Sequence, residues 1–200
     1  MRGVQCLMEN LTALILAGGQ SRRMGHNKAL LRLHPDGPRL IELVVQAVTP
    51  LTTRVVLSTN SPEEYAWLGL PSVPDRVAGT GPLAGLEAGL ARLTTGHLLV
   101  LGCDMPFVVT DLLRFLVSLR DEAAAVVPLN WDGQPEPLCA VYSHACLPVI
   151  RTRLAADQFQ MRAWLDAVSV RYVTPAELAP FDPELRSFRN CNTPMDLIEE

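Results

Sequence analysis

The 200-residue sequence lacks an excess of positive charge, closely spaced cysteines and a long apolar run. Lysine and arginine number 17 against 21 acidic residues, so a broad electrostatic surface for nucleic acid is not expected. The apolar runs are too short to predict a membrane-spanning helix. The first ten residues lack the apolar segment and cleavage site of a secretory signal, so we expect a cytoplasmic protein.

Cysteine and histidine are both scarce and scattered. The five cysteines include no C-x-x-C pair, and their number is odd, which predicts reduced, mostly buried thiols and no zinc or iron–sulfur site. None of the four histidines stands in a pattern typical of a catalytic base. Thiol-ligated metal chemistry and histidine-based catalysis are therefore not expected.

What the chain has is enough apolar sequence for a substantial core, with 48% hydrophobic and 19% charged residues. We expect a short N-terminal tail over residues 1–11 and one domain over residues 12–200. Strand-like and helix-like segments alternate along this domain, which predicts an α/β fold with a mostly parallel central sheet and helices on both faces. The predicted strands are 12–17, 54–59, 72–74, 97–101, 123–128, 137–142 and 168–173. The predicted helices are 39–48, one from 61, 82–93, 110–119, 144–154 and 160–167, with capped starts at 174 and 193.

The segment 14–28, LILAGGQSRRMGHNK, is the most informative part of the chain. An apolar strand ends in Gly18 and Gly19, and a short cationic loop follows with Arg22, Arg23 and Lys28. Glycine lets backbone N–H groups approach anionic oxygens, so this pattern favours a phosphate-binding loop. Its spacing fits neither a P-loop nor the dinucleotide fingerprint. A plain connecting loop with solvated arginines is the alternative.

Two aspartates follow other predicted strands. Because ligands of parallel sheets bind beyond the carboxyl ends of the strands, Asp75 and Asp104 are candidates for the same site. Asp104 follows a very apolar strand, and its carboxylate suits a Mg²⁺ ion that bridges protein and phosphate oxygens. The alternatives are an aspartate capping a turn before Pro106 and, for Asp75, an ordinary surface residue.

A glycine-rich helix is predicted after Gly81. Gly85 and Gly89 are four residues apart and share one helix face, where they permit close approach of a strand, a base or a sugar. Plain packing of the helix on the sheet explains Gly89 equally well.

Four motifs in this order carry a family resemblance. They are LAGGxSxRMGxxK over 16–28, GPLAG over 81–85, CDMP over 103–106 and RNxNTPxDL over 189–197. Together they resemble the molybdenum cofactor guanylyltransferases, and the resemblance runs from about residue 14 to 197. The first motif is shared with many nucleotidyltransferases that build sugar nucleotides, whereas the last one narrows the assignment.

The resemblance implies a three-layer, Rossmann-like nucleotidyltransferase fold and a specific set of site residues. The implied GTP site consists of Leu16, Ala17, Gly18, Gly19, Gly25, Lys28, Asn60, Asp75 and Asp104. The implied catalytic residues are Lys28, Arg23 and Asp104, with Mg²⁺ held by Asp104. The side that receives molybdopterin would include Asn190, Asn192 and, by a looser match, Gln134.

The implied reaction joins GMP from GTP to the terminal phosphate of molybdopterin and releases pyrophosphate. That phosphate monoester has a second pKa of about 6, so it is mostly ionised near neutrality and requires no general base. The resemblance also implies transient contacts with other cofactor-biosynthesis proteins, molybdoenzyme apoproteins or their chaperones, and none with nucleic acid or membranes. A relative that uses CTP or another phosphorylated acceptor is an alternative, although the Gly18-Gly19 pair favours guanine. A non-catalytic nucleotide-binding protein is a second alternative.

Overall fold

The computed structural model describes residues 10–18, 27–76, 80–93 and 96–191. A seven-stranded sheet runs through the middle of this part of the chain, in the order β3-β2-β1-β4-β6-β5-β7. Its strands are β1 Leu11–Leu16, β2 Val55–Ser58, β3 Ser72–Val73, β4 His97–Gly102, β5 Ala125–Pro128, β6 Cys139–Ser143 and β7 Val170–Val173. Strand β6 is antiparallel to β4 and β5, and the other pairs are parallel. The mostly parallel sheet expected from the alternating pattern is confirmed.

Helices cover both faces of the sheet. The α-helices are α1 Leu40–Val48, α2 Pro82–Leu90, α3 Thr110–Ser118, α4 Leu147–Ala155 and α5 Pro175–Leu178. Short 3₁₀ helices occupy Lys28–Leu30, Pro62–Leu68, His144–Cys146, Leu165–Ala167 and Arg186–Phe188. Apolar residues of α1 and α3 belong to one buried cluster, and those of α2 and α4 belong to another. The sheet separates the two clusters, which gives three layers.

Strand β1 lies at the centre of this arrangement. Ala13 and Ile15 belong to the first cluster, whereas Leu14 and Leu16 belong to the second. Both faces of the strand are covered, which is why its sequence is continuously apolar and not alternating. Its neighbours β2 and β4 are in register with it, so that Leu16 is level with both Ser58 and Gly102. The carboxyl ends of β1, β2 and β4 are therefore level with one another.

Helix α2 packs unusually close to these strands. A Cβ atom at Gly85 would lie 2.5 Å from Ser58 Oγ, and one at Gly89 would lie 2.5 Å from Leu14 Cδ2. Any side chain at either position would collide with the sheet. The two glycines therefore serve helix–sheet packing, and their face is buried against strands and not turned to a base or sugar.

The helix prediction over residues 160–167 was wrong. Residues 160–167 form irregular chain ending in a short 3₁₀ helix, because Trp164 turns into the core beside the Tyr142 ring, 5.5 Å away between centroids. The short helix predicted to begin at Ser61 is present as the 3₁₀ helix Pro62–Leu68 with proline at its first position, but Ser61 makes no side-chain cap hydrogen bond and the predicted capping box is not formed. There the Glu64 carboxylate instead accepts from Asn27 Nδ2 at 2.6 Å.

Four of the five cysteines lie among the described residues. Cys103, Cys139, Cys146 and Cys191 are free thiols, and the last three are buried. In the described part of the chain, none of the helices has the length and apolar character needed to cross a bilayer. The capping box predicted at Thr174 is confirmed, with Glu177 as its acidic member.

Candidate active site

The candidate site lies beyond the carboxyl ends of β1, β2 and β4. Gly18, Asn60 and Asp104 each stand two residues after the last residue of one of these strands. Because Leu16, Ser58 and Gly102 are in register, the three following segments begin side by side. The backbone of Cys103 donates to the Leu16 carbonyl oxygen at 3.2 Å, and that of Ala17 donates to Ser58 at 2.9 Å, so pairing continues past the strands.

Asp75 is held by a set of hydrogen bonds at the end of β2. Ser58 Oγ donates to its Oδ1 at 3.1 Å, and Asn60 Nδ2 donates to its Oδ2 at 3.0 Å. The Asp75 backbone in turn donates to Asn60 Oδ1 at 2.9 Å. A Cβ atom at Gly18 would lie 3.9 Å from Asp75 Oδ2, so the glycine backbone lies beside this carboxylate. The structure thus brings together Gly18, Asn60 and Asp75.

The charge on Asp75 is costly in this position. Partial burial raises the pKa of its carboxyl above the ordinary value, and the hydrogen bonds from Ser58 and Asn60 offset this only in part. A carboxylate whose ionised form is disfavoured by its own surroundings is typical of a group that serves a ligand.

Lys28 stands at the start of a short helix whose position is fixed from several sides. Asn27 Oδ1 accepts from the Ala29 backbone at 3.1 Å and so caps this helix. Asn27 Nδ2 also donates to the hydroxyl of buried Tyr65 at 2.9 Å, and that hydroxyl donates to the Ala17 carbonyl oxygen at 3.0 Å. Lys28 is thereby tied to the end of β1, close enough for its charge to lower the pKa of Asp104.

Asp104 folds back over the end of its own strand. A Cβ atom at Gly102 would lie 2.7 Å from Asp104 Oδ1, so only glycine leaves room for this orientation. Burial raises the pKa of the Asp104 carboxyl above its ordinary 3.8, against the opposing effects of a backbone hydrogen bond and of Lys28. An added cation would favour the ionised form that burial disfavours.

The neighbouring thiol does not fit the role of a nucleophile. Burial, with the Asp104 charge as a second cause, raises the pKa of Cys103 to about 12. The thiol is therefore protonated near neutral pH, and only the thiolate is strongly nucleophilic.

The donor set fits a magnesium ion that a polyphosphate brings with it. Among the described residues, no three or more His, Cys, Asp or Glu side chains form a metal-binding group. Mg²⁺ is usually bound by one or two carboxylates together with phosphate oxygens and water. A partly buried carboxylate next to a lysine suits this kind of site and does not suit an all-protein cage.

The C-terminal motif meets Asp104 although it is distant in sequence. The Cys191 backbone donates to the Asp104 carbonyl oxygen at 2.9 Å, and Asn190, directly before it, is exposed. Gln134 lies in the connection between β5 and β6, which follows the carboxyl end of β5. Its Oε1 accepts from Arg162 at 3.2 Å, and the hydrogen bonds that define its position do not reach Asp104.

Four predicted site residues, Gly19, Arg23, Gly25 and Asn192, lie outside the described residues. Their roles stay predictions. The other predicted residues of the GTP site lie around the ends of the central strands, namely Leu16, Ala17, Gly18, Lys28, Asn60, Asp75 and Asp104.

Sequence reasoning missed the residues that hold the site in place. Ser58 and Tyr65 support Asp75 and Ala17, and the signal available for Ser58 was a hydroxyl at the end of an apolar strand. Buried Asp182 was also missed. Its two oxygens accept from the Arg186 and Ser187 backbones at 3.1 and 2.8 Å, and Ser187 Oγ accepts from the Val109 backbone at 3.0 Å.

Comparison with known proteins agrees with the geometry. Residues 13–172 match the model of the MobA-like NTP transferase domain. A probable molybdenum cofactor guanylyltransferase from Pelotomaculum thermopropionicum is 36% identical over 193 residues, which cover 96% of this chain and 92% of the relative. A molybdenum cofactor guanylyltransferase from Desulfosudis oleivorans is 34% identical over 192 residues, covering 95% and 94%.

A solved structure shows the same fold. Molybdopterin-guanine dinucleotide biosynthesis protein A from Archaeoglobus fulgidus superposes with a TM-score of 0.79 at 29% identity. The match covers 94% of this chain and 95% of that one. The nucleotidyltransferase fold expected from the motifs is confirmed.

Proposed function

The chain belongs to the MobA-like NTP transferase family, and on that premise we propose that it transfers GMP from GTP to the terminal phosphate of molybdopterin. The products are the guanine dinucleotide form of the cofactor and pyrophosphate. The observation that carries the proposal is the meeting of Asp104 with Lys28 on one side and with the backbone of Cys191 on the other. The lysine of the phosphate-loop motif and the C-terminal motif that marks the acceptor thus converge on one residue, the lysine through the Asp104 carboxylate and the motif through the Asp104 backbone.

The donor side extends from Asp104 toward β3. Gly18, Asn60 and Asp75 form a small polar surface at the ends of β1 and β2, suited to the nucleoside of GTP. Exposed polar atoms on this surface can hydrogen-bond the base and the ribose. Lys28, whose charge acts on the Asp104 carboxyl, would offset the negative charge of the triphosphate. Arg23 and Gly25 would complete the loop around the phosphates.

Asp104 would hold the Mg²⁺ ion. When bound, such an ion offsets the charge that develops on the phosphate oxygens as pyrophosphate departs. The raised pKa of Asp104 in its own surroundings agrees with this role, because a bound cation restores the preference for the ionised form.

The acceptor supplies its own nucleophile. A phosphate monoester is mostly ionised near neutral pH, since its second pKa is about 6, so no protein base has to remove a proton. Its oxygen attacks the α-phosphorus of GTP, the bond to the β-phosphate oxygen breaks, and pyrophosphate leaves with the electron pair. The protein's part is to align the two substrates and to lower the repulsion between their charges.

Asn190, Asn192 and Gln134 are proposed to contact molybdopterin. We further propose that the reaction takes place in the cytoplasm and that the product passes to molybdoenzyme apoproteins or their chaperones. Transient contacts with other cofactor-biosynthesis proteins belong to the same proposal.

A nucleotide panel tests the proposed function. The intact protein is incubated with molybdopterin, Mg²⁺ and either GTP, CTP, ATP or UTP, and the dinucleotide is detected by mass. We expect the guanine dinucleotide with equimolar pyrophosphate. A product only with CTP would support the cytidylyl alternative, and binding of GTP without any turnover would support a non-catalytic nucleotide-binding protein.

A further inference from the structure

Two arginines converge on one aromatic ring beside the candidate active site. The guanidinium carbon of Arg186 lies 5.5 Å from the centroid of the Phe107 ring, and that of Arg189 lies 5.8 Å from it. Both distances are within the range of cation–π contacts. The two positive charges thus share one small surface, and the Arg189 side chain belongs to an exposed residue.

The backbone that carries the pair is held rigidly. Asp182 is 4% exposed and accepts from the backbones of Arg186 and Ser187 through separate oxygens. Ser187 Oγ then accepts from the backbone of Val109, the residue directly before helix α3. The arginines are therefore fixed relative to the turn between β4 and α3, and little ordering is left to be done when a ligand binds.

This turn also contains Asp104, so the arginine pair is attached to the segment that carries the proposed metal ligand. Phe107 is three residues after Asp104, and Cys191, two residues after Arg189, donates to the Asp104 carbonyl oxygen at 2.9 Å. Asn60 and Asp75 belong to the ends of β2 and β3, whereas Phe107 follows β4 and leads to α3. The arginine pair is thus attached to the segment that follows β4, whereas the nucleoside surface is formed by segments that follow β1, β2 and β3.

We propose that Arg186 and Arg189 bind the phosphomonoester of the acceptor and deliver it to the α-phosphate of GTP. The inference rests on the proposed function, which brings a phosphate with close to two negative charges against a triphosphate. The proposed function assigns Lys28 to the charge of the triphosphate and names no cation for the phosphate of the acceptor. Guanidinium groups bind phosphate through several N–H donors in a fixed plane, and a ring under them limits their freedom. No residue of this pair was among the expected site residues.

Separate kinetic constants for the two substrates test the pair. Arg189→Ala, the variant with the more exposed side chain, is expected to raise the KM for molybdopterin about tenfold or more, as loss of charge-assisted hydrogen bonds does. The KM for GTP should change less than about twofold by the same reasoning. Arg189→Lys should recover part of the loss, because it keeps the charge but not the fork of donors.

A matched control is Arg54→Ala. Arg54 is exposed and stands directly before β2, at the amino end of the strand, whereas the candidate site lies at the carboxyl ends. Its loss therefore removes the same charge far from the site. Equal effects of Arg189→Ala and Arg54→Ala on the KM for molybdopterin would overturn the proposal. A parallel rise in the KM for GTP would also overturn it, because the pair would then serve the donor.

A binding measurement separates this inference from the proposed function. Equilibrium dialysis of the intact protein with molybdopterin alone is expected to show affinity about tenfold weaker for Arg189→Ala than for wild type or Arg54→Ala. If wild type binds molybdopterin but forms no dinucleotide with GTP, the proposed function fails while the arginine pair is still tested by this affinity. Absence of molybdopterin binding by wild type contradicts the proposal that the two arginines bind the acceptor. Arg186→Ala is the second variant, and unchanged affinity in both contradicts the proposal.

Discussion

Carboxylates occupy two contrasting regions of this molecule, the carboxyl edge of the sheet and the corner between β7 and α5. At the corner, the Arg171 guanidinium donates to Glu177, which also accepts from the Thr174 backbone at 3.0 Å and from Thr174 Oγ1 at 2.8 Å. The Arg171 hydrogen bond is the main cause that lowers the pKa of Glu177 to about 2. The ionised form is the stable one there.

The two carboxylates at the carboxyl ends of the strands, Asp75 and Asp104, show pKa shifts in the opposite direction. Burial raises the pKa of both Asp75 and Asp104, and their hydrogen bonds do not compensate fully. The contrast agrees with the proposal that Asp75 and Asp104 bind ligands at some cost in stability, whereas Glu177 stabilises the fold. Variants that remove one charge or contact at a time distinguish the two roles by whether stability or function changes.

The largest effect is expected from Asp104→Asn. Loss of the proposed metal ligand should lower the rate of GMP transfer by about 10³-fold, corresponding to about 4 kcal/mol of transition-state stabilisation. The free energy of unfolding in urea without ligands should not fall at pH 7. The reason is that a raised pKa means that the charge is disfavoured in the folded state, so removing the charge removes a cost. Near-normal transfer by the variant would refute the role of Asp104.

Lys28→Ala should have the next largest effect. A lost charge-assisted contact to phosphate corresponds to a decrease of about 10- to 100-fold in kcat/KM for GTP. Initial rates at varied GTP measure it, with Arg54→Ala as the charge-matched variant. An unchanged kcat/KM would show that Lys28 does not contact the phosphates.

Ser58→Ala tests the role of the Asp75 carboxylate through the pH dependence of GTP binding. The hydrogen bond from Ser58 lowers the pKa of Asp75, so its removal should raise that pKa further. If ionised Asp75 binds the nucleoside, GTP affinity falls as the pH drops through its pKa, and this fall should begin at a higher pH in the variant. Calorimetric titrations with GTP at pH values from about 4 to about 7 measure the midpoint of this fall, because the range starts near the ordinary carboxyl pKa and extends above it. A midpoint that moves down or stays in place contradicts the proposed role.

The smallest effect is expected from Glu177→Gln at the corner. Arg171 and Glu177 side chains are 31% and 34% exposed, so solvent screening limits the loss of stability to about 1 kcal/mol. Because the pKa is lowered, this contribution is present above the ordinary 4.5 and is lost as the pH falls toward about 2. Urea unfolding at pH 7 and at pH 3 measures it, with exposed Glu184→Gln as the control. A loss of transfer activity in Glu177→Gln would break the contrast between the regions.

Local patterns in the sequence predicted much of the fold. The continuous apolar run of β1, the strand before Asp104 and the capping box at Thr174 each depend on neighbouring residues, and each is found in the structure. The helix over 160–167 failed because a tertiary contact decided it, namely the burial of Trp164 against Tyr142.

The candidate site was predictable only where a motif marked it. Asp104 and Asp75 followed from their places at strand ends. The hydrogen bond between Cys191 and Asp104 joins residues far apart in the chain, as does the one between Ser187 and Val109, and no local pattern reports such pairs. The support for Asp75 by Ser58 and the arginine pair on Phe107 required the folded structure for the same reason.

The contrast between the two regions is tested most directly by thermal unfolding of wild type, Asp104→Asn and Glu177→Gln, each with and without GTP and Mg²⁺. A ligand that binds only the folded state raises the melting temperature, and the rise grows with the logarithm of the ligand concentration divided by its Kd. We predict that Glu177→Gln starts lower than wild type but gains as much from GTP and Mg²⁺, while Asp104→Asn starts no lower than wild type and gains little. A full gain in Asp104→Asn, or a lost gain in Glu177→Gln, would contradict the account.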